Sequence, residues 1–465
     1  MTNPATTLIG NPFAQLDLPE GLTRSLIDLV HDLDVATVPD EVRTWAKHSL
    51  IDTVGVLALG TAAEPVQMLR RVVLEPGTSG GATVFGTAPA YASPLNAAMV
   101  NALAAHIRDF DDAGAGGHIS AIIVPAVLAL GEVHDVSGAD ALSALIAGYE
   151  TAFRVNRLLG DSHYYLGFHS SGTVGTFAAA AAACRLLGLS REQWAMAFGI
   201  AGSLAGGLLA NFGSMTKPLH SANASRAGLL AARLAQEGFT GSPAVLEHEV
   251  GFIRTHTLVS DPGVAMNPLG EPWALADMYY KFNAACSGTH SGGDGMRRLV
   301  REHGVTADDV AAITIRVPKI QTEVANIQWP VTVEQAKFSI RFVAAAGLLG
   351  INTAEAFPTE DSAIADPRVQ SVIGLIEVLP LDGVNHGGAA EIDLRLKTGE
   401  VLSISLNSMV PFEDLATERA AIEDKFRRTA ATLWSADVID DTVRRLVHFE
   451  AEPSVRAFVA GLARA

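Results

Sequence analysis

Cysteine, aromatic side chains and charge are all scarce in this 465-residue chain, and each scarcity removes a class of protein. The two cysteines, Cys184 and Cys286, form no CxxC pair. A disulfide framework and a zinc ribbon are therefore not expected, and the pattern suits a reducing cytoplasm. Cys184, inside "AAAAAACRLLG", reads as a small buried apolar residue. Acids outnumber bases by 50 to 33, for a net charge of −17. That balance argues against a nucleic-acid partner, which calls for a basic stripe. No Lys or Arg precedes Arg24, so the basic start of a signal or transit peptide is missing. The uncharged run "AMAFGIAGSLAGGLLANFGSMT" has the length of a membrane span. Gly, Ser and Asn211 interrupt it, and no aromatic and basic flanks frame it, so a buried core helix is expected and no membrane contact.

Motifs of several enzyme classes are missing too. Read as an EF-hand from Asp109, "DFDDAGAGGHIS" puts Ala113 at the fifth position and Ser120 at the twelfth, where oxygen ligands belong. There is no HExxH and no GxxxxGK[ST]. "GAGG" at Gly114 does not complete GxGxxG, and "GFHSSG" at Gly167 misses GxSxG by one position. No metal, no nucleotide cofactor and no serine-hydrolase chemistry are expected.

What is present is apolar and small. From about Leu22 to Met278 the signals are helical. "PDEVRTWAKHSLIDTVGVLALG", "SPLNAAMVNALAAHIRDF", "GADALSALIAGYETAFRVNRLLG", "GTVGTFAAAAAACRLLG" and "REQWAMAFGIAGSLAGGLLA" carry apolar residues at helical spacing. Their small side chains predict closely packed helices. Near Tyr280 the pattern changes. A strand is expected over 312–317, then helices in "QAKFSIRFVAAAGLLG" and "DPRVQSVIGLIEVLPL", then two strands about the turn Thr398-Gly399. The tail from Pro411 is helical again. The fold class is mainly α. It comprises an all-helical domain from both chain ends (1–280 and 409–465) and a smaller α+β domain (281–408).

One lysine stands out. Lys217 in "NFGSMTKPLHSANASRAG" has no formal charge nearer than Glu192 upstream and Arg226 downstream. A lone lysine among small apolar residues is costly unless an anion meets it. Gly213, Ser214, Thr216 and Pro218 read as a helix start, with Ser214 or Thr216 as cap. Lys217 would then face an anion arriving at free backbone N–H groups.

Six stretches together resemble the MmgE/PrpD family: "AKHSLIDTVGVLALGT", "HIRDFDDAGAGGHISA", "HYYLGFHSSGTVG", "NFGSMTKPLHSANASRAG", "MYYKFNAACSGTHSGGD" and "VEQAKFSIRF". They lie in order over about residues 40–400. The family includes 2-methylcitrate dehydratase, cis-aconitate decarboxylase and iminodisuccinate epimerase. The resemblance implies a helical domain with a smaller lid, a homodimer, no metal, and a small carboxylate bound between domain and lid. It carries over Asp109, His118, His169, Lys217, Lys281 and Cys286 as catalytic positions. Lys217, Lys281, His290, Asp112, Ser214 and Thr216 are the expected substrate contacts. A capping role for Asp112 and an inert thiol at Cys286 are open alternatives.

Three departures bear on the substrate. The spacing to His118 is one residue shorter, and the family's "HPS" is "HIS" here. Ala113 stands where some decarboxylases have threonine. Lys281, Cys286 and His290 form K-x4-C-x3-H, as in the epimerase-like branch, where decarboxylase-like members have histidine near Cys286. Lysines, histidines and an acid without metal suit proton transfer at a carbon beside a carboxylate. The expected reaction is a lyase step, dehydration first. An epimerase of an amino- or imino-dicarboxylate is the alternative, and a catalytically silent carboxylate-binding relative is a third.

Overall fold

The computed structural model describes residues 16–74 and 80–463. Most of the leader segment judged above, residues 1–15, lies outside them. The first helices are α1 (Leu22–Val30), α2 (Asp40–Gly60), α3 (Glu64–Val73), α4 (Pro94–His106) and α5 (Ser120–His134). α6 (Gly138–Tyr165), α7 (Ser170–Leu186), α8 (Arg191–Leu204) and α9 (Thr216–Gln236) follow. Several are buried on nearly every side. All of α7 from Ser171 to Cys184 is buried, as its run of alanines and glycines allows.

This part is not all helical. Strands β1 (Ala82–Val84) and β2 (Ala90–Ala92) form an antiparallel pair. With only three residues each, they are too short to show a period of two in sequence. The uncharged run before Thr216 is also not one helix. α8 ends at Leu204, and Ala205 is already extended. Among the described residues, no single helix is long and apolar enough to cross a membrane. α2 and α3 pass that test only as a pair bent by 87°.

The second group of elements comprises α10 (His290–His303), β3 (Val310–Val317), α11 (Ile340–Leu349), α12 (Pro367–Ile373), β4 (Ile376–Pro380), β5 (Ala389–Leu396) and β6 (Val401–Asn407). The sheet order is β4-β3-β5-β6. β4 runs parallel to β3, and the other pairs are antiparallel. The helix expected across "DPRVQSVIGLIEVLPL" thus divides. It stops at Gly374, and "IEVLP" alternates buried Ile376 and Val378 with exposed Glu377 as a strand.

Two hydrophobic cores result. One runs from Leu22 to Tyr280 and resumes with Ile422 to Leu462 on α13 (Leu415–Ala430), α14 (Ala436–Val447) and α15 (Val455–Ala463). The other runs from Ala284 to Leu402 and takes in Val56, Leu59 and Phe110 from the first group. Phe110 therefore carries the loop after α4 to the junction of the two cores.

Candidate active site

The loop after α4 is fixed from several directions. Lys425 of α13 pairs with Asp52 of α2 at 2.7 Å and donates to the Phe110 carbonyl at 2.6 Å. The Asp112 N–H donates to Asp52, and Ser120 donates to the Asp112 carboxylate at 2.7 Å. Burial and the neighbouring Asp52 push the Asp112 carboxyl well above its usual range. Asp112 is thus a buried support behind the loop, in surroundings that favour its neutral form. It does not face the cavity described below.

Asp109, just past the end of α4, adopts a left-handed backbone, φ 50°. Two lysines grip it. Lys217 reaches Oδ2 at 2.9 Å, and Lys281 reaches Oδ1. Burial alone would raise the Asp109 pKa, but Lys217 and Lys281 outweigh it and hold the carboxyl well below the usual range. The expectation that the counter-charge of Lys217 arrives with a ligand is therefore corrected. The counter-charge is resident, and sequence hid it because Asp109 lies on another helix end, 108 positions away.

Donor counting separates the two lysines. An ammonium has three N–H donors. Lys281 spends its own on the Asp109 carbonyl (3.1 Å), the Asp109 carboxylate and the Ala285 carbonyl (3.2 Å). It is wholly buried and does not line the cavity. Lys217 donates to Asp109 and to Nε2 of His106 at 2.8 Å, which leaves one donor over. Its ammonium lies 5.8 Å from the Phe212 ring centre and 5.5 Å from that of Phe338.

Histidine tautomers follow from the same network. His106 must accept from Lys217 at Nε2, so its Nδ1–H donates to Asp111 at 2.8 Å. Burial brings the His106 pKa down to about 4, so the ring is neutral. His118 donates from Nδ1 to the other Asp111 oxygen at 3.0 Å. Its Nε2 is left as a lone-pair nitrogen 3.7 Å from Asp109. Burial and then Lys281 lower the His118 pKa. A neutral imidazole held by a carboxylate, with its second nitrogen free, is a built proton acceptor.

His106, Asp109, Asp111 and His118 lie close enough together to ligate a cation. Apart from the free Nε2 of His118, their ligand atoms are committed to one another and to two ammonium groups, and those two positive charges repel a dication. Neither His106 nor Asp111 was singled out from sequence, although both lie in the quoted "HIRDFDDAGAGGHISA".

These groups meet a cavity of about 680 Å³. Asp109, His118, His169, Lys217 and Cys286 line it. His290, Ser214 and Thr216 do not. His290 is turned inward and shares a 3.0 Å hydrogen bond with the Ala285 carbonyl. Ser214 donates to the Asn211 carbonyl at 2.8 Å, and Thr216 is exposed on the outer side of the helix start. α9 begins at Thr216 after Met215 and has no side-chain cap.

His169 precedes α7, whose first residues Ser170 and Ser171 also line the cavity. The first N–H groups of a helix lack internal partners and favour an anion. Burial and then Lys217 hold the His169 ring well below the ordinary histidine range, so it is neutral. Cys286 enters from the second core, and burial followed by Asp109 raises its pKa, so it carries its proton. Tyr164, Tyr279 and Arg157 complete the wall, and sequence reasoning missed all three. Burial lifts the Tyr279 hydroxyl to about 12, and it donates to Ser287 at 3.1 Å.

Comparison with known families decides the relationship. The MmgE/PrpD N-terminal domain matches residues 24–264, and the MmgE/PrpD C-terminal domain matches residues 284–446. The chain belongs to the MmgE/PrpD family. Human cis-aconitate decarboxylase is 30% identical over 448 residues, 93% of this chain and 92% of its own length. The mouse enzyme of that name is 28% identical over 443 residues, 91% and 90% of the two chains. A cis-aconitate decarboxylase-like protein of Aspergillus oryzae is 27% identical over 473 residues, 95% and 97%. This MmgE/PrpD member is accordingly an enzyme of the lyase class.

Proposed function

We propose that the chain is a metal-independent decarboxylase of a small tricarboxylate, with cis-aconitate as the first compound to test. One observation carries this reading. A single cavity brings together an anchored ammonium with a spare donor, neutral His118 and His169, and a protonated Cys286 thiol. Substrate carboxylates would bind the spare N–H of Lys217 and the free N–H groups at Ser170 and Ser171. Phe212, Phe338 and Val324 form an apolar wall that strips water from a departing carboxylate. Breaking the carbon–carbon bond releases CO2 and leaves an electron pair delocalised toward a neighbouring carboxylate. Lys217 stabilises that charge, and His169 or Cys286 returns a proton to carbon. Dehydration, favoured from sequence, would use the same groups. Decarboxylation replaces it because relatives that align over nine-tenths of the chain bear that name.

Metal independence is supported by the two ammonium groups that already hold Asp109 and by the histidines that already hold Asp111 in the His106–Asp109–Asp111–His118 cluster. Cis-aconitate should release CO2, and a chelator should leave the rate unchanged. The second reading, epimerisation, is favoured by Cys286, which approaches from the second core while His118 and His169 approach from the first. Such an enzyme would exchange deuterium into an amino-dicarboxylate without losing CO2. A silent relative would show neither exchange nor turnover. A cytoplasmic homodimer is also proposed. Leu204, Met215 and Phe239 are exposed apolar residues of the kind an interface covers, and light scattering tests it.

A further inference from the structure

His169 does not stand alone. Its Nδ1 lies 2.9 Å from Nδ1 of His220, so one ring donates and the other accepts. His220 lines a different cavity, of about 340 Å³, together with Gly207, Leu208, Asn211 and Asn223. Leu208 is half exposed, so this second cavity reaches the surface. The pair thus bridges the inner cavity and an outer one.

The backbone is built to hold it there. The His169 N–H donates to the Gly207 carbonyl at 2.9 Å, and Phe168 bridges Leu208. A Cβ on Gly172 would fall 2.2 Å from the Gly206 carbonyl oxygen, and one on Gly207 would fall 3.1 Å from His220 Cγ. Glycines at 172 and 207 let this segment lie close against the start of α7 and the His220 ring. Lys217, His106 and His118 are the titratable groups facing the pair.

We propose that His220 is a proton relay that recharges His169 from the outer cavity during turnover. The proposal rests on the decarboxylase reading, because that reaction consumes one proton per turnover. The carbon–carbon bond breaks, CO2 leaves, and a C–H bond forms with a proton from outside the substrate. His169 gives its Nε2 proton to carbon. The Nδ1 proton of His220 passes to Nδ1 of His169, and water in the outer cavity protonates Nε2 of His220. Both rings end neutral, and charge balances because one solvent proton replaces the lost CO2. The starting tautomers return after the product leaves: water entering the inner cavity protonates Nε2 of His169, the Nδ1 proton of His169 passes back to Nδ1 of His220, and Nε2 of His220 gives its proton to water in the outer cavity. Neutral rings suit this role, since each passes one proton without storing charge in a buried site.

Two measurements on the full-length protein test the relay. With cis-aconitate, His220→Ala should lower kcat by about 100-fold, the scale of lost acid–base catalysis, with KM little changed. Added imidazole should restore kcat with a pH dependence set by its own ionisation. His220→Ala at the wild-type rate, or slow without rescue and with an unshifted pH profile, overturns the proposal. Independently, 15N-histidine NMR should show His169 and His220 as opposite neutral tautomers. If wild-type protein leaves cis-aconitate untouched, the decarboxylase reading fails. The relay, which needs a proton-consuming reaction, then fails with it, whereas two rings of the same tautomer in the NMR would overturn the relay alone.

Discussion

Replacing Asp109 with Asn isolates the electrostatics of the loop after α4. Asn tolerates the left-handed backbone at φ 50°, so the change removes charge and little else. Lys217 and Lys281 would then be two buried ammonium groups facing one amide. Breaking a buried ion pair by removing one partner costs about 3–5 kcal/mol, because a charge is left uncompensated. Lys281 keeps two carbonyl acceptors, and Lys217 keeps His106, so the lower part of that range is expected. Asp109→Ala should cost about 1 kcal/mol more, because alanine resists left-handed backbone.

The pH dependence of the same contribution has a fixed sign. The folded-state pKa of Asp109 is depressed well below its ordinary value of 3.8. Its stabilisation is therefore complete above that value and lost as pH falls through the folded pKa. Urea unfolding at neutral and acid pH reads both effects. The Asn variant should be destabilised at pH 7, with the gap closing in strong acid. A variant within about 0.5 kcal/mol of wild type at pH 7, the spread of an ordinary surface change, would refute Asp109 as the shared counter-ion.

Three further outcomes follow from the site. Lys217→Met should keep the fold and lower kcat by about 100- to 1,000-fold, the scale of one lost charge-stabilising donor; steady-state kinetics checks this. Gly172→Ala places a Cβ against the Gly206 carbonyl and should destabilise by about 1–3 kcal/mol, measured by urea unfolding. The Cys286 pKa is raised above its ordinary value of 9.0, so iodoacetamide should alkylate it slowly at pH 7 and faster as pH rises, read by mass spectrometry.

The helices were legible because Ala, Leu and Val recur at helical spacing between good stop signals such as Gly60. β4 was not, because "VIGLIEVLP" is too short and too apolar for one period to exclude the other. The β1–β2 pair was lost for the same reason. At the site, its isolation pointed to Lys217 and the family resemblance to Asp109 and the histidines, but sequence could not show which groups share a cavity. Lys281 and Lys217 look alike in sequence. Only the geometry shows that Lys281 has spent all three donors while Lys217 holds one in reserve. His106 and Asp111 form the spine of the network, yet in sequence they read as a helix-end histidine and one acid among several.

The most direct test of the central claim is proton NMR of cis-aconitate incubated with the protein in deuterated water, with a chelator present. The account expects a dicarboxylate product that has lost one carboxyl group as CO2 and gained one deuterium on carbon, absent with Lys217→Met. Unchanged cis-aconitate, or a rate abolished by the chelator, would contradict it.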